Sequence, residues 1–405
     1  MWKWTNPNNI KMIILDGDSL KDEFLNYPYS EDLIIVKAYR NNISLSNDKL
    51  AIKYFDIRSL LNNILKEYKN IDSTSIISIS EDYLFLKEMM QYHIGTISTV
   101  TQKLDYLKYA PDFQNCNLDR IVSILEHKDK GYCAEVISYH GDAIPRMSLI
   151  KSKKELLING DTKEFIIYFG GRYFPAMSAY ILNDPLSCLI RKFKKTYIRQ
   201  IDDFFDLAIS FVSYKDKVDL VTYVPLKPSQ IKENSYDRFE QLRLKHCMSN
   251  DIRLEKTMLC TKDFVQKQND ANQRQENVKG AFKVIEDVKD KNILIIDDVF
   301  TTGSTITEIA KTLYEAGAKN VEAIVLAINQ LTDATVEYKG ITCSSCKEQM
   351  VLKVNTINGS LFFGCPNYDK HIATNTSIDF KVGIECLREL NKLEIISIHD
   401  LDDMY

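Results

Sequence analysis

Nowhere in the 405 residues does an apolar run reach the roughly 18 that a membrane-spanning helix needs. The opening stretch, MWKWTNPNN, has no apolar signal-peptide core. The chain is therefore expected in the cytoplasm, without a membrane partner. Positive charge is not in excess either. With 52 Lys and Arg against 56 Asp and Glu, the formal net charge is -4, which excludes a polybasic nucleic-acid binder. The absence of any G-x-x-x-x-G-K-[ST] sequence excludes a P-loop NTPase, and the absence of low-complexity tracts and internal repeats excludes repeat arrays. What is present is ordinary globular material, 45% hydrophobic, in a chain longer than one core usually organises, so two or three domains are expected. Nine cysteines, an odd number without a secretory signal, point to thiols and metal ligands more than to a disulfide framework.

The densest chemistry lies in ILIIDDVFTTGST, Ile293 to Thr305. Four consecutive apolar residues, Ile293 to Ile296, have the pattern of a parallel strand buried on both faces, and Asp297 and Asp298 follow at its carboxyl end. Ligands of open parallel sheets bind in the crevice beyond the strand carboxyl ends. Thr301, Thr302, Gly303, Ser304 and Thr305 then make a loop of small residues entering a helix, where free N–H groups, hydroxyls and the helix dipole favour a phosphate. Ile306, Ile309, Ala310 and Leu313 recur at helical spacing, Gly317 is the expected terminator, and Val321 to Ile328 supplies a second strand to close a βαβ unit. The alternative is an ordinary strand end followed by a helix cap.

These residues resemble the phosphoribosyl pyrophosphate (PRPP) motif of type I phosphoribosyltransferases, with Phe300 as the aromatic variant of ComF-like members. VTYVPLKPSQIKENSYDRFEQL, from Val221, resembles the strand and pyrophosphate loop of that family, and RQENVKGAF, Arg274 to Phe282, resembles its R-x-x-N-V-x-G-A-F signature. One run departs: where the family has Arg-Gly-aromatic-Asn, this chain has Asn234, Ser235, Tyr236 and Asp237, and an arginine is lost. The resemblance implies an α/β fold, a parallel sheet flanked by helices, over residues 201–335, with 128–200 as a connecting region that includes the N-terminal part of the same module. It further implies that Asp297 and Asp298 hold the ribose hydroxyls and that Thr301 to Thr305 hold the 5′-phosphate, with Val299 and Phe300 in the same ligand-binding run. Pro225, Leu226 and Lys227 would lie beside the leaving pyrophosphate, Mg²⁺ would bridge pyrophosphate and ribose oxygens, and Lys227, Arg274 and Lys279 would be candidates to neutralise the leaving group. For those three cations, solvated surface charge is the competing explanation.

The last segment, 336–405, carries a second signal. Cys343 and Cys346 form a C-x-x-C pair, Cys365 and His371 follow at knuckle-like spacing, and Asn358-Gly359 offers a hairpin turn between two short strands. Three cysteines and a histidine meet the closed tetrahedral coordination of structural Zn²⁺, and metal binding would supply much of the folding free energy of so small a module. Cys386 is a second candidate for the fourth ligand. The pattern resembles the C-terminal zinc ribbon of bacterial type I topoisomerases, with His371 where that family has cysteine. A ribbon of this kind would touch single-stranded nucleic acid or a protein partner, or be purely structural.

Residues 1–127 resemble a reduced haloacid-dehalogenase-like (HAD) domain. KMIILDGDSL places Asp16 and Asp18 just past an apolar strand, which would bind Mg²⁺ weakly, and STSIISISEDYLFLKEMMQYHIGTISTV has the pattern strand, loop, helix, strand. The departures are large: Ser19 shortens the first motif, Ser80 and Glu81 replace the Gly-Asp of the metal-binding motif, and a motif lysine is missing. A degenerate scaffolding domain is therefore expected over an active phosphatase.

In the connecting region, an aromatic strand, a turn at Asn183 to Pro185 and a basic helix follow one another. Arg191, Lys192, Lys194, Lys195 and Arg199 would form either a phosphate-backbone patch or a solvated helix face, and Tyr173, Phe174 and Tyr180 either a base-stacking surface or core. Two functions of different class follow from the whole chain. One is an Mg²⁺-dependent transfer of a phosphoribosyl group to an acceptor. The other is a non-catalytic module binding PRPP, a nucleotide or nucleic acid in DNA uptake, repair or bacterial defence.

Overall fold

The computed structural model describes residues 2–40, 51–92, 94–175, 184–215, 217–233, 235–245, 249–250, 252–264, 276–330, 342–348, 350–354, 361–371 and 377–379. They belong to two compact units, Met1–Gly131 with Pro145–Met147, and Tyr132–Ile144 with Ser148–Leu390. Among the described residues no helix is long and apolar enough to cross a membrane.

The first unit is built on a five-stranded parallel sheet, in the order Ala51–Lys53, Ile34–Tyr39, Met12–Asp16, Ile76–Ser80, Gly95–Ser98. Its central strand, Met12 to Leu15, is apolar at every position because both faces are covered. The pleat sends Met12 and Ile14 into one core with Leu60, Leu61 and Ile64, and Ile13 and Leu15 into another with Phe113, Ile121 and Ile124. The strand–helix–strand pattern expected after Ser73 is present as Ile76–Ser80, Tyr83–Gln91 and Gly95–Ser98.

The second unit contains a seven-stranded sheet. Its path runs Arg253–Leu254, Leu220–Tyr223, Asn292–Phe300, Asn320–Asn329, Asp161–Phe169, Ile150–Ile158, with Arg172–Tyr173 also paired to Asn320–Asn329. All neighbours are parallel except the last pair of the path, Asp161–Phe169 with Ile150–Ile158. Strands from the connecting region thus share a sheet with the Asp297 strand. Buried Arg172 donates through Nε and Nη2 to both oxygens of buried Glu135, at 2.8 and 3.1 Å, and this pair ties the helix Cys133–His140 to the sheet.

Between Asn292–Phe300 and Asn320–Asn329 runs the helix Ser304–Glu315, which buries Ile306, Ile309, Ala310 and Leu313. Gly317, just beyond its end, has φ +95°, the left-handed conformation that ends helices at low cost for glycine. The expected βαβ arrangement is therefore present. One expectation needs correction: the first strand does not stop at Ile296 but continues to Phe300, pairing Asp297 with Val325 and Phe300 with Ile328. Asp297 and Asp298 lie inside the strand's last residues, because Val299 and Phe300 still find ladder partners on the longer neighbour.

In the second unit, three strands, Val351–Val354, Leu361–Gly364 and Ser377–Asp379, form an antiparallel ribbon. The expected hairpin residues Asn358 and Gly359, and Cys386, lie outside the described residues.

Candidate functional site

The strand ladder decides which residues meet at the carboxyl edge of the second sheet. Tyr223 pairs with Ile296, so Pro225 and Leu226 leave their strand beside Asp297 and Asp298. Within the acidic pair each carboxylate accepts from the next backbone N–H: Asp298 N donates to Asp297 Oδ1 at 2.8 Å, and Val299 N to Asp298 Oδ1 at 2.7 Å.

Asp298 is buried and faces two cations. Arg238 Nη2 lies 3.1 Å and Lys194 Nζ 3.6 Å from its Oδ2. Burial opposes its ionisation, but the Arg238 guanidinium and then the Lys194 ammonium outweigh it and hold the carboxyl below the usual carboxylate range. Asp297 behaves in the opposite sense: burial, and then the charge of Asp298, push its carboxyl up to about 7. Two carboxylates in sequence therefore share one proton near neutrality.

A pH dependence follows from Asp297. In the unfolded chain its carboxyl titrates near the model value of 3.8, whereas folded Asp297 keeps its proton to about 7. Between these values the native state binds the extra proton, so the group's contribution to stability is largest at the acid end and is lost as pH rises. Asp297→Asn removes that loss. Urea denaturation at pH 5 and pH 8 is expected to show the variant gaining on the wild type at the higher pH by about 1–3 kcal/mol; an equal difference at both values would contradict the shared-proton arrangement.

Thr301 and Thr302 form the bend after the strand, and Gly303 is the N-cap of the helix, at φ +72°. Glycine is required there twice over: by that angle, and because a Cβ would fall on the Phe300 ring. No side chain caps the helix and its first turn holds no acidic residue, so its first N–H groups and the positive end of its dipole have no competing carboxylate from that turn. The Thr302 and Ser304 hydroxyls hydrogen-bond to each other at 2.9 Å, leaving one hydroxyl proton to donate at the same place. Thr305 begins the buried side of the helix at half-buried depth.

Phe300, in the expected ligand-binding run, is placed behind the bend. Its ring is buried, packs edge-on against Phe169 with centroids 5.2 Å apart, and walls the back of the Gly303 bend. Val299 contributes its backbone N–H to Asp298. Lys227 caps the short helix Pro228–Lys232; its Nζ donates to the Phe264 carbonyl at 2.6 Å and lies 4.0 Å from the Phe264 ring centroid, and burial pushes its ammonium down. Arg274 lies outside the described residues, as do Asn234 and Tyr180. Gly280, in the expected signature, is anchored: its N–H donates to Glu308 Oε1 on the Ser304 helix at 2.6 Å.

Two further cations stand at the acidic pair. Arg238 directly follows Asn234 to Asp237 in ENSYDRFEQL, and its Nη2 reaches Asp298 Oδ2 at 3.1 Å. Lys194 belongs in sequence to a basic run expected on one helix face. In the structure that face is divided: Arg191 and Lys192 end the helix Pro185–Phe193, Lys194 turns to Asp298, and Arg199 begins the next helix, bound to Asp142 and Asp203. Phe174 is buried and Arg191 stands over Tyr173, so these aromatics pack with their neighbours.

In the ribbon, Cys343, Cys346, Cys365 and His371 bring their ligand atoms within 4.8 Å of one another. Cys365 Sγ lies 3.5 Å from Cys346 Sγ and 3.3 Å from His371 Nε2, and Cys343 Sγ lies 3.6 Å from the same nitrogen. Zinc–sulfur bonds of about 2.3 Å in a tetrahedron give edges of roughly 3.8 Å. The four thiol and imidazole donors fit such an ion in both type and spacing, and none of the three cysteines is in a disulfide.

In the first unit, Asp16 is buried, and its Oδ2 accepts from the Ser19 and Ser80 hydroxyls at 2.6 and 2.5 Å. Burial raises its carboxyl against those hydrogen bonds. Asp18 Oδ2 accepts from Arg40 N at 2.6 Å. The expected Mg²⁺ pair is thus drawn to different partners, and among the described residues no third carboxylate joins it in a metal-binding cluster.

Comparison with known proteins bears on the second unit. The family model "Phosphoribosyl transferase domain" matches residues 253–356. The DNA utilization protein YhgH of Escherichia coli K12 is 44% identical over 52 residues, 13% of this chain and 23% of that protein. Competence protein ComFC of Streptococcus pneumoniae is 56% identical over 36 residues, 9% of this chain and 16% of its own. A ribose-phosphate pyrophosphokinase of Chlorobaculum tepidum is 31% identical over 103 residues, 24% of this chain and 32% of that enzyme. The chain therefore spans less than a third of the length of each of these relatives. The matched residues 253–356 carry the acidic pair, the Gly303 bend and the Ser304–Glu315 helix, within a parallel sheet flanked by helices.

Proposed function

We propose that the second unit binds PRPP with Mg²⁺ and transfers its phosphoribosyl group to an acceptor. The observation that carries this reading is the placement, within nine residues of one strand–helix junction, of an acidic pair and an uncapped helix N-terminus closed by Gly303. A sugar phosphate needs both parts: hydroxyl acceptors at one end and a cradle for a dianion at the other. Asp297 and Asp298 would take the ribose hydroxyls, and the Thr301 to Thr305 segment the 5′-phosphate. Asp297 is the more open of the two carboxyls, and Mg²⁺ held chiefly by substrate oxygens and water would supply charge neutralisation to the leaving pyrophosphate. Arg238 and Lys194, together with Lys227 and Arg274, are the chain's own cations for that charge. Departure of pyrophosphate leaves an oxocarbenium-like carbon, so the residues act by positioning and electrostatics, and no protein nucleophile is needed.

The similarity to proteins named for DNA utilization and competence supports a second reading, a module that binds PRPP, a nucleotide or single-stranded nucleic acid without turnover. Incubation with PRPP and candidate acceptors separates the two. Pyrophosphate release above an Asp298→Asn control supports transfer, whereas salt-sensitive binding of single-stranded DNA with no release supports the module.

The Cys343, Cys346, Cys365 and His371 cluster is assigned in the same proposal to structural zinc in a ribbon, available to a protein or nucleic-acid partner. The first unit is assigned a scaffolding role of HAD-like type, since Ser19 and Ser80 occupy the Asp16 carboxylate that a phosphatase would need free. Phosphatase activity that disappears in Asp16→Asn would overturn that assignment.

A further inference from the structure

Asp298 is already engaged. Its Oδ1 accepts from Val299 N, and its Oδ2 faces Arg238 and Lys194, which arrive from two separate places in the unit, the turn before Phe239 and the end of the helix Pro185–Phe193. Neither cation makes a hydrogen bond of good geometry to Oδ2, so the carboxylate is neutralised without being firmly tied. Lys194 is 45% exposed and Arg238 18%, against 8% for Asp298. Lys194 has room to move, whereas Arg238, 4.8 Å over the Phe239 ring, and the carboxylate are largely enclosed.

We propose that Arg238 and Lys194 form an exchangeable latch on Asp298, released only by a ligand that carries a pyrophosphate or comparable polyanion beside its sugar. This deepens the PRPP reading and rests on it. A pyrophosphate bears several negative charges and can take bidentate hydrogen bonds from a guanidinium, so it outcompetes a single carboxylate for both cations. Their transfer to the ligand frees Asp298 to accept from the sugar hydroxyls. A sugar monophosphate would still find the helix N-terminus but would leave the latch closed. The site thereby gains selectivity from a contact it must break, a repulsive element as well as an attractive one. Arg238 and Lys194 are in this sense positioning residues for Asp298 in the free protein.

The test is a pair of titrations, PRPP and ribose 5-phosphate, each with Mg²⁺, on the full chain and on Arg238→Gln with Lys194→Gln. The wild type is expected to prefer PRPP strongly. In the double variant that preference should fall at least tenfold, with PRPP weakened and ribose 5-phosphate bound as well as before or more tightly. Both ligands weakening by one factor, or an unchanged preference, overturns the latch. Wild-type protein that binds neither ligand overturns the PRPP reading itself. If the double variant fails to fold, Lys194→Gln alone carries the comparison, since that side chain is half exposed; its preference should fall in the same direction.

Discussion

Replacing Asp297 and Asp298 together by asparagine is expected to weaken PRPP binding by about a hundredfold or more while leaving the chain folded. Each carboxylate would accept from a sugar hydroxyl, and hydrogen bonds to charged groups are worth about 1.5–3 kcal/mol apiece, so losing both corresponds to roughly two to four orders of magnitude. Asparagine keeps the shape and the acceptor that Asp298 N and Val299 N use, which protects the strand. The net change in stability should be small, because removing Asp297 relieves a carboxyl held above its ordinary range by burial and like charge, and this offsets the loss of the Asp298 carboxylate that Arg238 and Lys194 stabilise. Equilibrium binding of PRPP, with far-ultraviolet circular dichroism as the folding control, measures both. Retained affinity in the folded variant would remove the acidic pair from the site.

The second large effect is expected from metal removal. With three cysteines and a histidine as ligands, a structural zinc site in zinc-finger peptides carries apparent binding free energies of about 10–16 kcal/mol at neutral pH. The ribbon strands Val351–Val354, Leu361–Gly364 and Ser377–Asp379 are three or four residues long, too little sheet to stand without such a contribution. Purified protein should contain one zinc per chain. Chelation, or Cys365→Ser, should abolish amide protection in the ribbon while the sheet carrying Asp297 keeps its own. His371→Cys should retain the metal. Zinc-free protein with a protected ribbon would contradict the assignment.

The features legible in the sequence were those written locally. Ile293 to Ile296 announced a doubly covered strand, Ile306 to Leu313 its helix, Gly317 the stop, and the C-x-x-C pair with Cys365 and His371 the four donors that the ribbon gathers. What stayed hidden depends on where separate segments meet. Lys194 looked like one charge among five on a helix face, because nothing local says that the chain turns after Phe193 and carries it to Asp298. Arg238 lies just past the four residues where the resemblance leads one to look for an arginine, and only the fold shows that it reaches Asp298. Phe300 sat inside a ligand-binding motif, yet burial against Phe169 and the Gly303 bend makes it the wall behind the site. The strand ran past Ile296 because its neighbour continues to Asn329, a fact of pairing that periodicity alone does not contain.

Calorimetric titration of the full chain with PRPP, with and without Mg²⁺, tests the central claim most directly. The account predicts saturable binding that Mg²⁺ strengthens, and a gain in the stability of the second unit of about 2.7 kcal/mol at a hundred times the dissociation constant. Absence of binding in the presence of Mg²⁺, or binding unchanged when Asp297 and Asp298 are both asparagine, would contradict it.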